Sequence, residues 1–165
     1  MDLKRFWRHV AMTPGAARRA YPDRTMEAIA RAIAEGEKRH RGEVCFVVEA
    51  ELTTGQLWRG LDARDRAREV FLQQGVWNTE ENNGVLIYVL LAEHRVEIVA
   101  DRGIDAHVSD AEWQAACEAI DAHFRARRFE EGAVAGVNAV SELLARHYPA
   151  RGEGRNEVPD RPVLM

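Results

Sequence analysis

Residues 82–104 read NNGVLIYVLLAEHRVEIVADRGI, and this stretch decides the fold. Val85 to Leu91 form an unbroken apolar run without polar alternation. Such a run marks a strand covered on both faces, and therefore a central one. AEHR is a tight connection, and VEIVA alternates, so it reads as the returning strand of a hairpin. Upstream, EVCFVVEAEL holds a second continuous β-prone run, Val44 to Val48. Between the two runs, DARDRAREVFLQQGVW has helical spacing, with Asp62 as its cap and Gly75 at its end. A strand, a helix and another strand imply a parallel pair with a right-handed crossover.

The flanks supply the helices. A long helix is expected from near Thr25, capped by Asp23 or Thr25, with Met26, Ile29, Ala30 and Ile33 on one face and an end before Gly42. SDAEWQAACEAIDAHFRARRF opens with a capping box, Ser109 and Glu112, and aligns Trp113, Ala116, Cys117, Ile120 and Phe124. A further helix spans about 130–147 and buries Val134, Val137, Val140 and Leu144. The order α, β, α, β, β, α, α predicts a three-layer α/β/α sandwich around a small mixed sheet. Residues 1–22 form an N-terminal segment, 23–148 the α/β domain, and 149–165, PARGEGRNEVPDRPVLM, a largely irregular tail with few contacts at 150–160 and VLM tacked onto the body. In the first segment, residues 3–12 predict a short helix packed on the domain, with Phe6, Trp7 and Val10 on its apolar side; docking on a membrane surface or partner is the alternative. TPG then breaks the chain.

The bulk properties narrow the functional classes. A net charge of −4 gives no overall positive field, which argues against a nucleic-acid partner. No apolar stretch is long enough to cross a membrane, and the N-terminus is broken by Arg8 and His9, unlike a secretory signal. Cys45 and Cys117 lie far apart and read as buried free thiols, which fits a reducing compartment. A cytoplasmic location, peripheral to the membrane, is expected. His9, His40, His94, His107, His123 and His147 show no zinc spacing, and Trp58, Trp77 and Trp113 read as core or loop anchors. There is no GxSxG, phosphate loop, HExxH or dinucleotide fingerprint, so no organic cofactor is expected.

The topology nominates a site. It returns the starts of the two parallel strands and the end of the hairpin strand to one edge. Glu43, Asn82, Asn83 and Asp101 therefore share a rim with Glu80, Glu81 and Arg102. Carboxylate and amide oxygens are hard ligands suited to Ca²⁺ or Mg²⁺, although Asn, Asp and Gly also build turns. The opposite rim carries Glu49, Glu51, Glu93 and His94, and it is favoured by the rule that open sheets bind ligands at strand C-terminal ends.

GEVCFVV, ENNGVLIYVLLAEHRVEIVADRGI and FEEGAVAGVNAV together resemble the TPM domain family, named for thylakoid-lumen, photosystem II repair and acetylcholine-receptor modulator proteins. The likeness covers roughly residues 25–148. Asn83 and Gly84 match the family's NG, and Asp110 matches the acidic residue after its turn. The chain departs at DRG, where Asp101 stands at the first glycine of the family's turn, and at AHF, where the family often has P-x-F. The resemblance implies a mixed sheet between helices, divalent-ion binding, and service to membrane protein complexes. It also implies an acid phosphatase activity in plant members. Two functions follow as expectations. One is a non-catalytic accessory module for a membrane-associated protein partner. The other is a metal-assisted phosphatase in which Glu43, Asn83, Asp101 and Asp110 hold Ca²⁺ or Mg²⁺ and Arg102 faces the phosphate.

Overall fold

The computed structural model describes residues 3–152 and 156–165. Helices α1 (Leu3–Ala11) and α2 (Pro14–Ala20) precede the long α3 (Asp23–Glu37). Strand β1 (Glu43–Glu49) leads to α4 (Thr54–Trp58) and α5 (Ala63–Gln73). Strands β2 (Gly84–Leu90) and β3 (Arg95–Ala100) form a hairpin closed by a 3₁₀ turn at Leu91–Glu93 and a left-handed His94. Then come α6 (Arg102–Asp105), α7 (Asp110–Arg125), α8 (Phe129–His147) and the short β4 (Val163–Leu164).

The strand order is β3-β2-β1-β4. β1 and β2 are parallel from Glu43↔Gly84 to Glu49↔Leu90, and β3 returns antiparallel with Val85↔Ala100. Every residue of β1 and β2 is buried, as an apolar run without alternation demands. Side chains alternate between two cores. Val44, Phe46, Val48, Val85, Ile87 and Val89 pack with residues of α3, α7 and α8. Cys45, Val47, Leu86, Tyr88 and Leu90 pack with Leu57 of α4 and with Ala63, Ala67, Val70 and Phe71 of α5. The architecture is thus an α/β/α sandwich with a small mixed sheet.

The local signals act as their chemistry dictates. Ser109 and Glu112 make both bonds of the capping box, and the Asp62 side chain accepts from Asp65 N at 2.8 Å. Gly75 takes the left-handed position after α5, at φ 71°.

Several expectations need correction. The break at TPG separates α1 from α2, but the triplet also starts a new helix that was not expected: Thr13 Oγ1 accepts from Ala16 N and Pro14 fills the start of α2, where its missing N–H costs nothing. Neither Asp23 nor Thr25 caps α3. Pro22 is the cap residue without a side-chain bond, while Thr25 Oγ1 donates to Glu130 Oε2 of α8 at 2.7 Å. Trp58 and Trp77 are exposed rather than buried anchors; only Trp113 packs against the core, with Nε1 donating to Asp105 Oδ1. On α1, Phe6 is partly buried but Trp7 and Val10 face solvent.

The tail is docked. Val158 is buried, its N–H donates to Glu43 Oε2 at 3.0 Å, and β4 pairs in parallel with β1 at Val47↔Val163. The expectation of few contacts at 150–160 does not hold for Val158, because the edge of β1 and the carboxylate of Glu43 offer it partners. Residues 153–155 of that expectation lie outside the described residues, as do residues 1–2 of the N-terminal segment.

Candidate functional site

The starts of β1 and β2 and the end of β3 meet on one rim. Asn82 turns the chain there in the left-handed region, at φ 52°. Asn83 follows, 1% exposed, and its N–H donates to Thr79 Oγ1 at 3.1 Å. Its Nδ2 donates to Arg41 O at 3.0 Å, tying the start of β2 to the loop before β1. Asp101 N donates to Gly84 O at 2.8 Å, which closes the hairpin's open end. Asp101 also caps α6, with Oδ1 accepting from Arg102 N at 2.7 Å.

Two oxygens are left over. Asn83 Oδ1 and Asp101 Oδ2 are shut off from solvent and have no hydrogen-bond partner among the described residues. Leaving such a group unsatisfied costs about 1–3 kcal/mol, and more when it is charged.

A cationic and aromatic wall stands beside them. Arg41 pairs with Glu81, donates Nε to Pro149 O at 3.0 Å, and lies 5.7 Å from the centre of the Tyr148 ring. Burial raises the Tyr148 pKa first; the charges of Glu81 and Asp101 raise it further, against Arg41. The His107 ring stacks on His147 at 5.5 Å and meets Tyr148 at 6.1 Å, and His147 Nε2 is another enclosed atom without a partner among the described residues. Arg41, His107, His147 and Tyr148 had no signal in the sequence. They come from two loops and from the end of α8, and only packing brings them to this rim.

The four expected ligands are divided. Asn83 and Asp101 are both linked to the start of β2. Glu43 is buried and turned to the tail, where it accepts from Val158. Asp110 is exposed in the first turn of α7. No three His, Cys, Asp or Glu side chains among the described residues are grouped so as to hold a metal ion. Asn83 and Asp101 alone would not complete the shell of a divalent ion.

Glu43 belongs to a neighbouring cavity of about 570 Å³, lined also by Glu37, His40, Glu157 and Asp160. Glu37 accepts from Val44 N at 3.2 Å. Burial, followed by the charge of Glu43, pushes its pKa from the usual 4.5 to about 9. The folded value lies above the unfolded one, so stability from protonated Glu37 is complete below about pH 4.5 and is lost as pH rises through about 9. Glu37→Gln keeps the acceptor for Val44 and removes the proton requirement. It is expected to raise Tm at pH 8 and leave it unchanged at pH 4; equal Tm values at both pH values would contradict this account.

The opposite rim is structurally occupied. Arg66 and Tyr88 bind Glu49, while Arg5 and His9 bind Glu93 at 2.6 and 2.9 Å. Burial raises the Glu93 pKa, but the hydrogen bonds and charges of His9 and Arg5 outweigh it and hold the group below the usual value. The strand-end rule does not select this edge because its main carboxylates are already paired. The thiols are not activated either, since burial pushes Cys45 up to about 12 and Cys117 to about 11.

Comparison with known proteins places this geometry. A model of the TPM domain matches residues 22–143. The NMR structure of BA42 protein from the psychrophilic bacterium Bizionia argentinensis shares 31% identity, covers 86% of this chain and 93% of its own, and superposes with a TM-score of 0.77. The N-terminal domain of a protein from P. gingivalis, at 23% identity, covers 73% of this chain and 76% of its own with a TM-score of 0.57, a likeness of fold. No functionally curated protein matches the sequence. With the sandwich, the NNG turn and the hairpin all inside the matched span, the chain belongs to the TPM domain family.

Proposed function

We propose that this protein is a non-catalytic accessory module for a membrane-associated protein partner, with a divalent cation held at the rim of Asn83 and Asp101. The observation that carries the reading is the pair of enclosed, unpartnered oxygens, Asn83 Oδ1 and Asp101 Oδ2. A hard cation with retained waters satisfies both. Beside the same rim lies an exposed apolar pair, Leu72 and Trp77, joined by a hydrogen bond from Trp77 Nε1 to Leu72 O. Val76, next to Trp77, is in contact with Gly84 at the start of β2. An exposed tryptophan beside a polar rim suits an anchor for a partner.

Titration of the purified protein with CaCl₂ or MgCl₂ tests the reading. Amide signals of 82–84 and 101–103 are expected to shift, and stability to rise by about 2.7 kcal/mol at a hundredfold excess over Kd. Asp101→Ala is expected to abolish both responses. Unchanged amide signals and Tm would remove the cation from the proposal. A phosphatase is the second reading, favoured by Arg102, which is exposed, adjoins Asp101 and has no ion-pair partner among the described residues. Phosphomonoester turnover that is lost in the Asp101→Ala, Asp110→Ala double variant would replace the binding module with metal-assisted hydrolysis.

A further inference from the structure

Helix α1 is amphipathic, yet much of its apolar side faces outward: Phe6 packs against the core under α5, while Leu3, Trp7 and Val10 are exposed. At 100° per residue, Phe6, Val10, Leu3, Trp7 and Ala11 occupy one arc of roughly 140°. Lys4, Arg8, Arg5 and His9 occupy the rest. The polar edge faces the body. Arg5 Nε and His9 Nε2 both bond Glu93 Oε1, Arg5 Nη2 donates to Leu61 O at 2.5 Å, and His9 Nδ1 accepts from Leu52 N at 2.9 Å. His9 is 1% exposed, whereas Leu3 is 65%, Trp7 59% and Val10 50% exposed. A helix that merely covered the domain would bury those three and leave its charges in water. Four directed polar bonds hold it the other way round.

The charge around the outward arc selects its occupant. α1 contains no acidic residue. Arg5 and His9 are turned inward to Glu93, while Arg8 is an exposed cation at the edge of the arc. Arg8 has no ion-pair partner among the described residues. Asp62, Glu93 and Glu97 line the same shallow depression as Arg8, together with Arg64 and Arg95; Glu93 is ion-paired with Arg5 and accepts a hydrogen bond from His9. A tryptophan and aliphatic side chains edged by Arg8 match the boundary between acyl chains and anionic headgroups. No helix among the described residues is long and apolar enough to cross a membrane. Contact is therefore made along the surface. We infer that α1 is a preformed interfacial anchor that docks this protein on an anionic lipid surface through Leu3, Trp7 and Val10, with Arg8 at the headgroups. This surface is separate from the Asn83–Asp101 rim and does not depend on it.

Co-sedimentation of the full chain with vesicles tests the inference, in EDTA so that the rim plays no part. Phosphatidylcholine vesicles with a third phosphatidylglycerol are compared with pure phosphatidylcholine. The wild type is expected to bind the anionic vesicles, to bind the neutral ones on the order of tenfold less, and to be released by high salt. Leu3→Ser, Trp7→Ser, Val10→Ser together should abolish binding. Arg8→Glu alone should weaken it roughly tenfold. The replaced side chains are exposed, and circular dichroism with thermal melting checks that the variants stay folded. Equal binding to both vesicle types, no binding by the wild type, or full binding by the folded triple variant would each overturn the inference. So would a dimer that dissociates in the triple variant while neither form sediments with vesicles, since α1 would then pair with a second copy.

Discussion

Arg66→Ala is expected to cost about 3–5 kcal/mol of unfolding free energy, the largest single-residue effect we foresee. Arg66, on the buried face of α5, is 6% exposed and grips Glu49 through two nitrogens, with Nη2 to Oε1 and Nε to Oε2 both at 2.9 Å. Tyr88 of the central strand donates its hydroxyl to the same Oε2 at 2.5 Å. The hydrogen bonds to Glu49 lead the causes that raise the Arg66 pKa, so the guanidinium is the fixed charge of the group. Removing it strands a buried carboxylate at the end of β1. Replacing both partners with apolar residues of similar size, Glu49→Leu with Arg66→Met, is expected to recover most of the loss, because no charge is then buried alone. Tyr88→Phe in that background should help further by deleting the orphaned hydroxyl. Urea denaturation measures all three. A loss below about 1 kcal/mol for Arg66→Ala would mean that water reaches Glu49 and that this is a surface pair.

Gly84→Ala should also be severe, at roughly 3 kcal/mol, the upper end of ordinary overpacking. A Cβ on Gly84 would stand 2.0 Å from Val76 O, a backbone atom that cannot step aside as a side-chain tip can. Either the loop before β2 or the strand itself must move. Since Asp101 N bonds Gly84 O and Asn83 precedes it, the amide signals of both should shift with the loss of stability. Gly55 is the control. Nothing lies within 4 Å of a Cβ placed there, and it sits inside α4, so alanine should stabilise by about 0.5–1 kcal/mol. If Gly84→Ala were as neutral as that, the close approach of Val76 to the strand would be wrong. The result also assigns roles within NNG. Asn82 carries the left-handed turn, whereas Gly84 is not among the residues with positive φ and is required for close packing.

Legibility followed the range of the interactions. Strands Val85 to Leu91 and Val44 to Val48 were evident because burial on both faces demands unbroken apolar runs, and those runs are local. The caps at Asp62 and Ser109 were evident for the same reason, as each bond spans three residues. Thr13 escaped notice because a Thr-Pro-Gly triplet serves a turn and a helix start equally well. The strand Val163–Leu164 escaped because two residues carry no period; its partner edge on β1 creates it.

The candidate site divided along the same line. The crossover and hairpin already implied a shared rim for Asn83, Gly84 and Asp101, since the direction of each strand fixes where its ends lie. Which side chains face that rim was not implied. Glu43 turns to Val158 because the tail offers it an N–H, and Arg41, His107, His147 and Tyr148 arrive from distant segments. The facing of α1 was likewise settled by four polar bonds to residues 43 to 88 positions away, which outweigh an apolar pattern that its own sequence displays plainly. By itself the sequence determined the layers, the directions of β1 to β3 and the helix starts at Asp62 and Ser109, because these depend on periodicity and short-range bonds. The composition of the rim and the outward face of α1 were decided by tertiary structure, because buried polar groups take whichever partner the fold brings within reach.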